Sequence, residues 1–277
     1  MKFDFNLNRK SISCISSRFD RFNIFFPLWL KNAINYKIDI VILIDKITKN
    51  NDLINYIEEF KKKHINSNIN VVDVSNYGDI NKINNVHFFS AIFDRLYKLG
   101  YKNIVYTDPD ELLLTENLEV FFKSEENHFF SQGFELVHNL EVGECDFSND
   151  RTFLEQRNYG VWFAGVGLTK ETSSYSKLTI YKNGFFPKTR GRHATEYKTF
   201  ETKNKIPYEL YTFHLREMDI NTMVENYKKN IELYSFCREN FIFETVESAK
   251  NRLYRWFIPN IIEIPDEIKK IIKKHNL

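Results

Sequence analysis

Cysteine is scarce in this chain: Cys14, Cys145 and Cys237 are the only three in 277 residues. An odd, scattered set without a CxxC pair builds no disulfide framework and fits a reducing compartment. Long apolar runs are also missing. "RFNIFFPLWL" is broken by Asn23 and Pro27 and falls short of the roughly 18 residues that a membrane span needs. The N-terminal "MKFDFNLNRK" lacks the apolar segment of a secretion signal, so the expected location is the cytoplasm. Neither sign of charge dominates. With 39 Lys plus Arg against 37 Asp plus Glu, the formal charge of +2 gives no global field to recruit nucleic acid or to repel an acidic ligand. No GxGxxG follows the first strand and no Walker sequence occurs, which argues against a classical dinucleotide fold and a P-loop kinase. No internal repeat is evident.

What is present is globular: 43% hydrophobic and 27% charged residues, in a chain long enough for one large domain with or without a small appendage. "SISCIS" reads as a strand, followed by a polar turn containing Arg18 and a helix towards Asn35. "IDIVILID" is a continuous apolar strand ending at Asp45, as expected for a strand covered on both faces. "NNDLINYIEEFKKKH" places Leu53, Ile54, Ile57 and Phe60 on one helical face. "INVVDV" is the next strand, and "NNVHFFSAIFDRLYKLG" the next helix, closed by Gly100 as C-cap. Strand and helix alternate up to Ile104, the pattern of a mainly parallel sheet flanked by helices.

After Leu114 the rhythm changes. "ENHFFSQGFELVHNL", "NYGVWFAGVGLTK" and "YSKLTIYKNGFF" read as strands, the last with a turn at Asn183-Gly184. From Asp219 the pattern is mostly helical. The expected organisation is a catalytic domain over 1–218, with a nucleotide-binding part at 11–114 and an acceptor-binding part at 115–218, and a helical extension over 219–277.

Chemistry concentrates in "KNIVYTDPDELLL", where an apolar strand ends in Asp108, Asp110 and Glu111. Proline restricts its own φ and the residue before it, which predicts an extended Asp108-Pro109-Asp110 with both aspartates pointing one way. Such a pair needs compensation, and a divalent cation shared with ligand phosphates supplies it. A capped turn with a solvated face is the plainer alternative. In open α/β sheets ligands bind beyond the carboxyl ends of the strands, where Asp45 and Asp108 both fall.

A nucleotide-binding half with Asp45 at a strand end, then a strand running into Asp108-Pro109-Asp110-Glu111-Leu112, resembles the GT-A fold glycosyltransferases, more narrowly the family 2-like group with an Asp-x-Asp-Glu motif. The segments "GFELVH", "YSKLTIYK", "GRH" and "HLREMD" also fit, so the resemblance covers roughly residues 11 to 220. Pro109 departs from the commoner small middle residue, and "SSRFDRF" stands where an Asn-Glu pair is usual.

The resemblance implies a metal-dependent transfer of a sugar from a nucleotide-sugar donor, a UDP-sugar by preference, to a saccharide or lipid-linked saccharide. Asp108 and Asp110 would hold Mn²⁺ or Mg²⁺, and a histidine such as His214 would return to the cation and favour Mn²⁺. His193 is its rival. Lys177 matches a lysine of the family's strand. Arg190 and Arg192, with Lys188, form a basic loop suited to phosphate. Arg18 and Asp45 are candidates for the base and ribose. Trp162 and Phe163 offer an aromatic platform for the acceptor, although strand aromatics are more often core. An inverting reaction needs a general base, for which Glu144, Asp146, Glu217 and Asp219 are available; Glu217 and Asp219 join Asp110 as catalytic candidates.

Two other readings are weighed beside this one. A DxD phosphohydrolase fits poorly, because Glu111-Leu112 follows Asp110 in place of a small hydroxyl-bearing pattern. A catalytically silent glycan-binding or scaffold relative is weakened by retention of both aspartates. In the tail, "PDEIKKIIKKHNL" puts Ile268, Ile271 and Ile272 on one helical face among lysines, predicting either a packed terminal helix or peripheral contact with the inner membrane face.

Overall fold

The computed structural model describes residues 11–17, 22–45, 51–77, 85–138, 143–146, 151–162, 176–187, 209–215, 218–225, 245–252 and 261–277. The fold is mixed α/β, with sheet strands flanked by helices. The chain divides into two compact units, 1–131 with 176–210, and 132–175 with 211–277. Strand Ser176–Lys182 pairs with Asn103–Tyr106 and so belongs to the first unit, while the C-terminal segment supplies a strand to the second.

In the first unit, β1 (Ser11–Ser17), α1 (Phe22–Asn35), β2 (Asp39–Ile44), α2 (Asn51–Lys63), β3 (Ile69–Asp73), α3 (Asn85–Lys98) and β4 (Asn103–Tyr106) alternate as expected. The strands lie in the order β3-β2-β1-β4 and are parallel throughout. Successive additions go to one side of β1 until β4 crosses to the other. That reversal is the topological switch point at which open α/β sheets form a crevice. Neighbouring residues of β4 face opposite ways: Ile104 and Tyr106 pack with Phe88, Phe89 and Phe93 of α3, while Val105 packs with a separate cluster around Leu113, Phe121 and Phe129. Gly100 closes α3 with φ 104, and the Tyr101 N–H donates back to Leu96 O at 3.2 Å.

Beyond β4 come β5 (Glu111–Leu114), α4 (Leu118–Lys123) and β6 (His128–Leu136). Strand β8 (Ser176–Lys182) runs antiparallel to β4 and ends in a turn with positive φ at Asn183 and Gly184, as the dipeptide predicts.

In the second unit, β7 (Tyr159–Trp162) pairs antiparallel with the latter part of β6, and β9 (Tyr211–His214) pairs parallel with it. β10 (Ile262–Glu263) adds antiparallel to β7. A short α5 (Phe153–Gln156), a helical stretch at 220–225, α6 (Val246–Arg252) and α7 (Asp266–Lys274) complete the described elements. Gly160 is required at its place in β7, since a Cβ there would lie 2.4 Å from the Glu135 carbonyl oxygen. The three isoleucines of α7 are buried, so its apolar face is used inside the protein and not offered to a bilayer. No helix among the described residues is long and apolar enough to cross a membrane.

Candidate functional site

The acidic segment folds as a tight turn and not as the extended tripeptide expected from Pro109. The Glu111 N–H donates to Asp108 O at 3.0 Å, and residues 109–110 form the bend. Proline's fixed φ suits the second position of a β-turn and aspartate its first, and the closing hydrogen bond selects this alternative. The Glu111 side chain completes the turn, accepting the Asp108 N–H at 2.9 Å.

Helix α1 fastens the chain on both sides of the turn. Trp29 Nε1 donates to Thr107 Oγ1 at 2.8 Å, Asn32 Nδ2 donates to Leu113 O at 2.8 Å, and the Tyr36 hydroxyl donates to the same carbonyl at 2.8 Å. The Thr115 N–H in turn donates to the Tyr36 hydroxyl at 3.0 Å. The spacing of residues 29, 32 and 36 puts all three on one face of the helix. The turn is therefore held at the carboxyl end of β4, beside the switch point.

Lys177 of β8 reaches the turn. Its Nζ donates to Asp108 Oδ2 at 2.8 Å and to Glu111 Oε1. The three groups differ in exposure: Glu111 is 1% exposed, Lys177 7% and Asp108 34%. Asp110 is half-buried, and Asp45, at the end of β2, is fully buried. Three carboxylates against one ammonium leave a formal charge of two negatives on the turn and its lysine. Asp108 and Asp110 are hard oxygen donors of the kind a divalent cation takes, while the group of three ionisable side chains close enough to hold an ion lies, among the described residues, at His138, Glu144 and Asp219.

A second constellation lies within the other unit. His214 Nδ1 is 2.5 Å from Glu135 Oε2, and both residues are buried. A carboxylate on one imidazole nitrogen is the arrangement that fixes tautomer and orientation in metal-binding histidines.

Arg157, fully buried, is fixed by four oxygens. Its Nε donates to Met218 O at 2.7 Å, its Nη1 to Gln156 O at 2.7 Å, and its Nη2 to Gly143 O at 2.8 Å and to Asp219 Oδ1. The Cys145 N–H also donates to Asp219 Oδ1, at 3.0 Å. His138, Glu144 and Asp219 lie close enough to hold an ion, with ligand atoms within 4.8 Å of one another. Arg157 already neutralises Asp219 there, and its Nη2 is 3.4 Å from His138 Nδ1, so an added cation would meet a fixed positive charge. Burial holds the Glu144 carboxyl above its ordinary range, helped by the Asp219 charge. Burial lowers His138, and the Arg157 charge lowers it further.

Several residues named from the sequence take other places. Trp162 is buried, with its ring 5.0 Å from Phe134 and 5.9 Å from Tyr211, so it is core and not an exposed sugar platform. Asp219 is 1% exposed and tied to Arg157, an arrangement that suits an internal ion pair better than a base open to substrate. Arg18, Phe163, Lys188, Arg190, Arg192, His193 and Glu217 lie outside the described residues. Glu135, Arg157 and the α1 fasteners were not singled out from the sequence. Glu135 carried one signal, a carboxylate inside the apolar run "GFELV".

No family model and no curated protein matches the chain. Among solved structures, that of S. aureus TarS matches with a TM-score of 0.29 and 9% identity, covering 53% of this chain and 26% of that one. The chain thus spans about a quarter of that protein's length, and a superposition so loose carries no argument about function.

Proposed function

We propose that this protein is a metal-dependent glycosyltransferase that moves a sugar from a nucleotide-sugar donor to a saccharide or lipid-linked saccharide acceptor. The observation that carries the reading is the hydrogen-bonded Asp108–Glu111 turn at the carboxyl end of β4, beside the switch point of a parallel sheet. Asp108 and Asp110 would hold Mn²⁺ or Mg²⁺, which would supply positive charge to stabilise the departing nucleotide. Lys177 supplies a positive charge beside Asp108. Asp45, buried at the carboxyl end of β2, and Arg18 are proposed for the nucleoside, with the basic segment of Arg190, Arg192 and His193 for the phosphates.

His214 is proposed as a metal ligand on the evidence of its own surroundings, the Glu135 carboxylate at Nδ1. With Asp219 tied to Arg157, Glu217 is the proposed base if the reaction inverts the anomeric centre.

The test is a panel of nucleotide sugars, UDP-sugars first, titrated with Mn²⁺ and with chelator. Saturable donor binding that requires the metal is expected. The Asp110→Asn variant should lose at least about tenfold in donor affinity, while its melting temperature stays near that of the unaltered chain. Large destabilisation with unchanged nucleotide affinity would sink the assignment of Asp110. Metal-dependent phosphate release without sugar transfer would favour a phosphohydrolase instead.

A further inference from the structure

We propose that Lys177 is a counter-ion that changes partners, holding Asp108 while the turn lacks a divalent cation and passing to a donor phosphate oxygen when a cation takes that carboxylate. The inference rests on the reading of the turn as a site for a cation and a nucleoside diphosphate.

The two carboxylates that Lys177 touches are not equivalent. Glu111 is 1% exposed, accepts the Asp108 N–H with its other oxygen and opens β5, so it is an anchor that cannot leave. Asp108 is 34% exposed and stands on the open side of the turn. An ammonium has three donors on a flexible four-carbon stem and can exchange one partner while keeping the other. Glu111 is the pivot and Asp108 the exchangeable contact.

Electrostatics gives the direction of the exchange. A divalent cation on Asp108 would place two like charges on one carboxylate, which already has the Lys177 Nζ at 2.8 Å. The cation must therefore compete with the lysine. A diphosphate reverses the balance, because it brings negative charge that both positive groups attract. Lys177 thus opposes the metal when it comes alone and assists when it comes with the nucleotide. This dependence would disfavour idle metal binding and tie the loaded site to the presence of donor. A purely structural lysine has no such pair of opposite effects.

The full-length chain is titrated with Mn²⁺, free metal being read by its paramagnetic resonance signal, with and without UDP, for the unaltered protein, Lys177→Met and Lys177→Arg. In Lys177→Met, Mn²⁺ alone should bind about tenfold more tightly, while UDP at saturating Mn²⁺ should bind about tenfold more weakly. Lys177→Arg should stay nearer the unaltered protein in both. Unchanged or weaker Mn²⁺ binding by Lys177→Met overturns the exchange.

If that variant does not fold, labelling of Lys177 in the unaltered chain by an amine-acylating reagent decides the matter. It should rise with Mn²⁺ alone and fall again when UDP is added, and labelling that does not respond overturns the proposal. Failure of the underlying reading looks different: an unaltered protein that binds no Mn²⁺, or binds it equally well as Asp110→Asn, removes the cation site and the inference with it.

Discussion

At the scale of single residues, the contacts that define both constellations are made by ionisable groups, most of them buried, in direct contact with one another. Glu135 and His214 are the clearest pair, separated by 79 positions in sequence and joined at 2.5 Å. A carboxylate at Nδ1 raises the basicity of the imidazole and fixes which nitrogen faces outward for a metal. Glu135→Gln keeps the shape and removes the charge. If His214 ligates the cation, this variant should need about 10- to 100-fold more Mn²⁺ for half-maximal donor binding, and His214→Ala should shift the titration the same way. A folded Glu135→Gln protein with an unchanged metal titration would leave the pair as internal structure. Imidazole also suits Mn²⁺ better than Mg²⁺, so the loss should be larger with manganese.

At the scale of elements, α7 shows how an amphipathic pattern was legible while its use was not. Pro265 with Asp266 and Glu267 marks its start as expected, and the apolar positions are those read from the spacing. Whether Ile268, Ile271 and Ile272 face protein or membrane depends on what lies opposite, which periodicity does not encode.

The helix ends at His275, where a C-terminal dipole would favour a charged imidazole. Burial opposes this and wins, with the neighbouring Lys274 charge adding to it, so the folded group titrates at about 4. Its unfolded value is about 6.5, and between the two only the unfolded chain binds the proton. The contribution of His275 is therefore complete above the unfolded value and is lost as pH falls towards 4. Discounted for partial solvation, the loss is on the order of 1–2 kcal/mol. His275→Gln should show a correspondingly smaller drop in stability between pH 7 and pH 4; matching pH profiles for the two proteins would contradict the assignment.

The acidic turn teaches the same lesson at an element boundary. Pro109 is compatible with both an extended segment and a turn, and the extended form was the one expected. The choice is made by the hydrogen bond from the Glu111 N–H and by α1, whose Trp29, Asn32 and Tyr36 grip the chain 77 to 81 positions away. By contrast β2, α2, α3 and the Asn183-Gly184 turn were legible because their signals are local: an unbroken apolar run, a helical period, and a dipeptide that accepts positive φ.

At the scale of the whole molecule, the alternation of strands and helices up to β4 announced a parallel sheet and thereby the edge on which to look for a site. The order β3-β2-β1-β4 agrees with that expectation and adds the switch point. The division into units was not legible. β8 returns to β4 after some 70 residues, β10 joins β7 from the C-terminal segment, and such pairings have no short-range signal. The same holds for Arg157 and Asp219, which lie 62 positions apart.

The central claim is that Asp108 and Asp110 hold a divalent cation with a nucleoside diphosphate. Crystals grown with Mn²⁺ and UDP, with diffraction recorded at the manganese absorption edge, test it most directly. An anomalous peak in direct contact with the carboxylates of Asp108 and Asp110 and with the diphosphate oxygens is expected. A nucleotide bound with no manganese at the turn, or a manganese peak among His138, Glu144 and Asp219 alone, would contradict it.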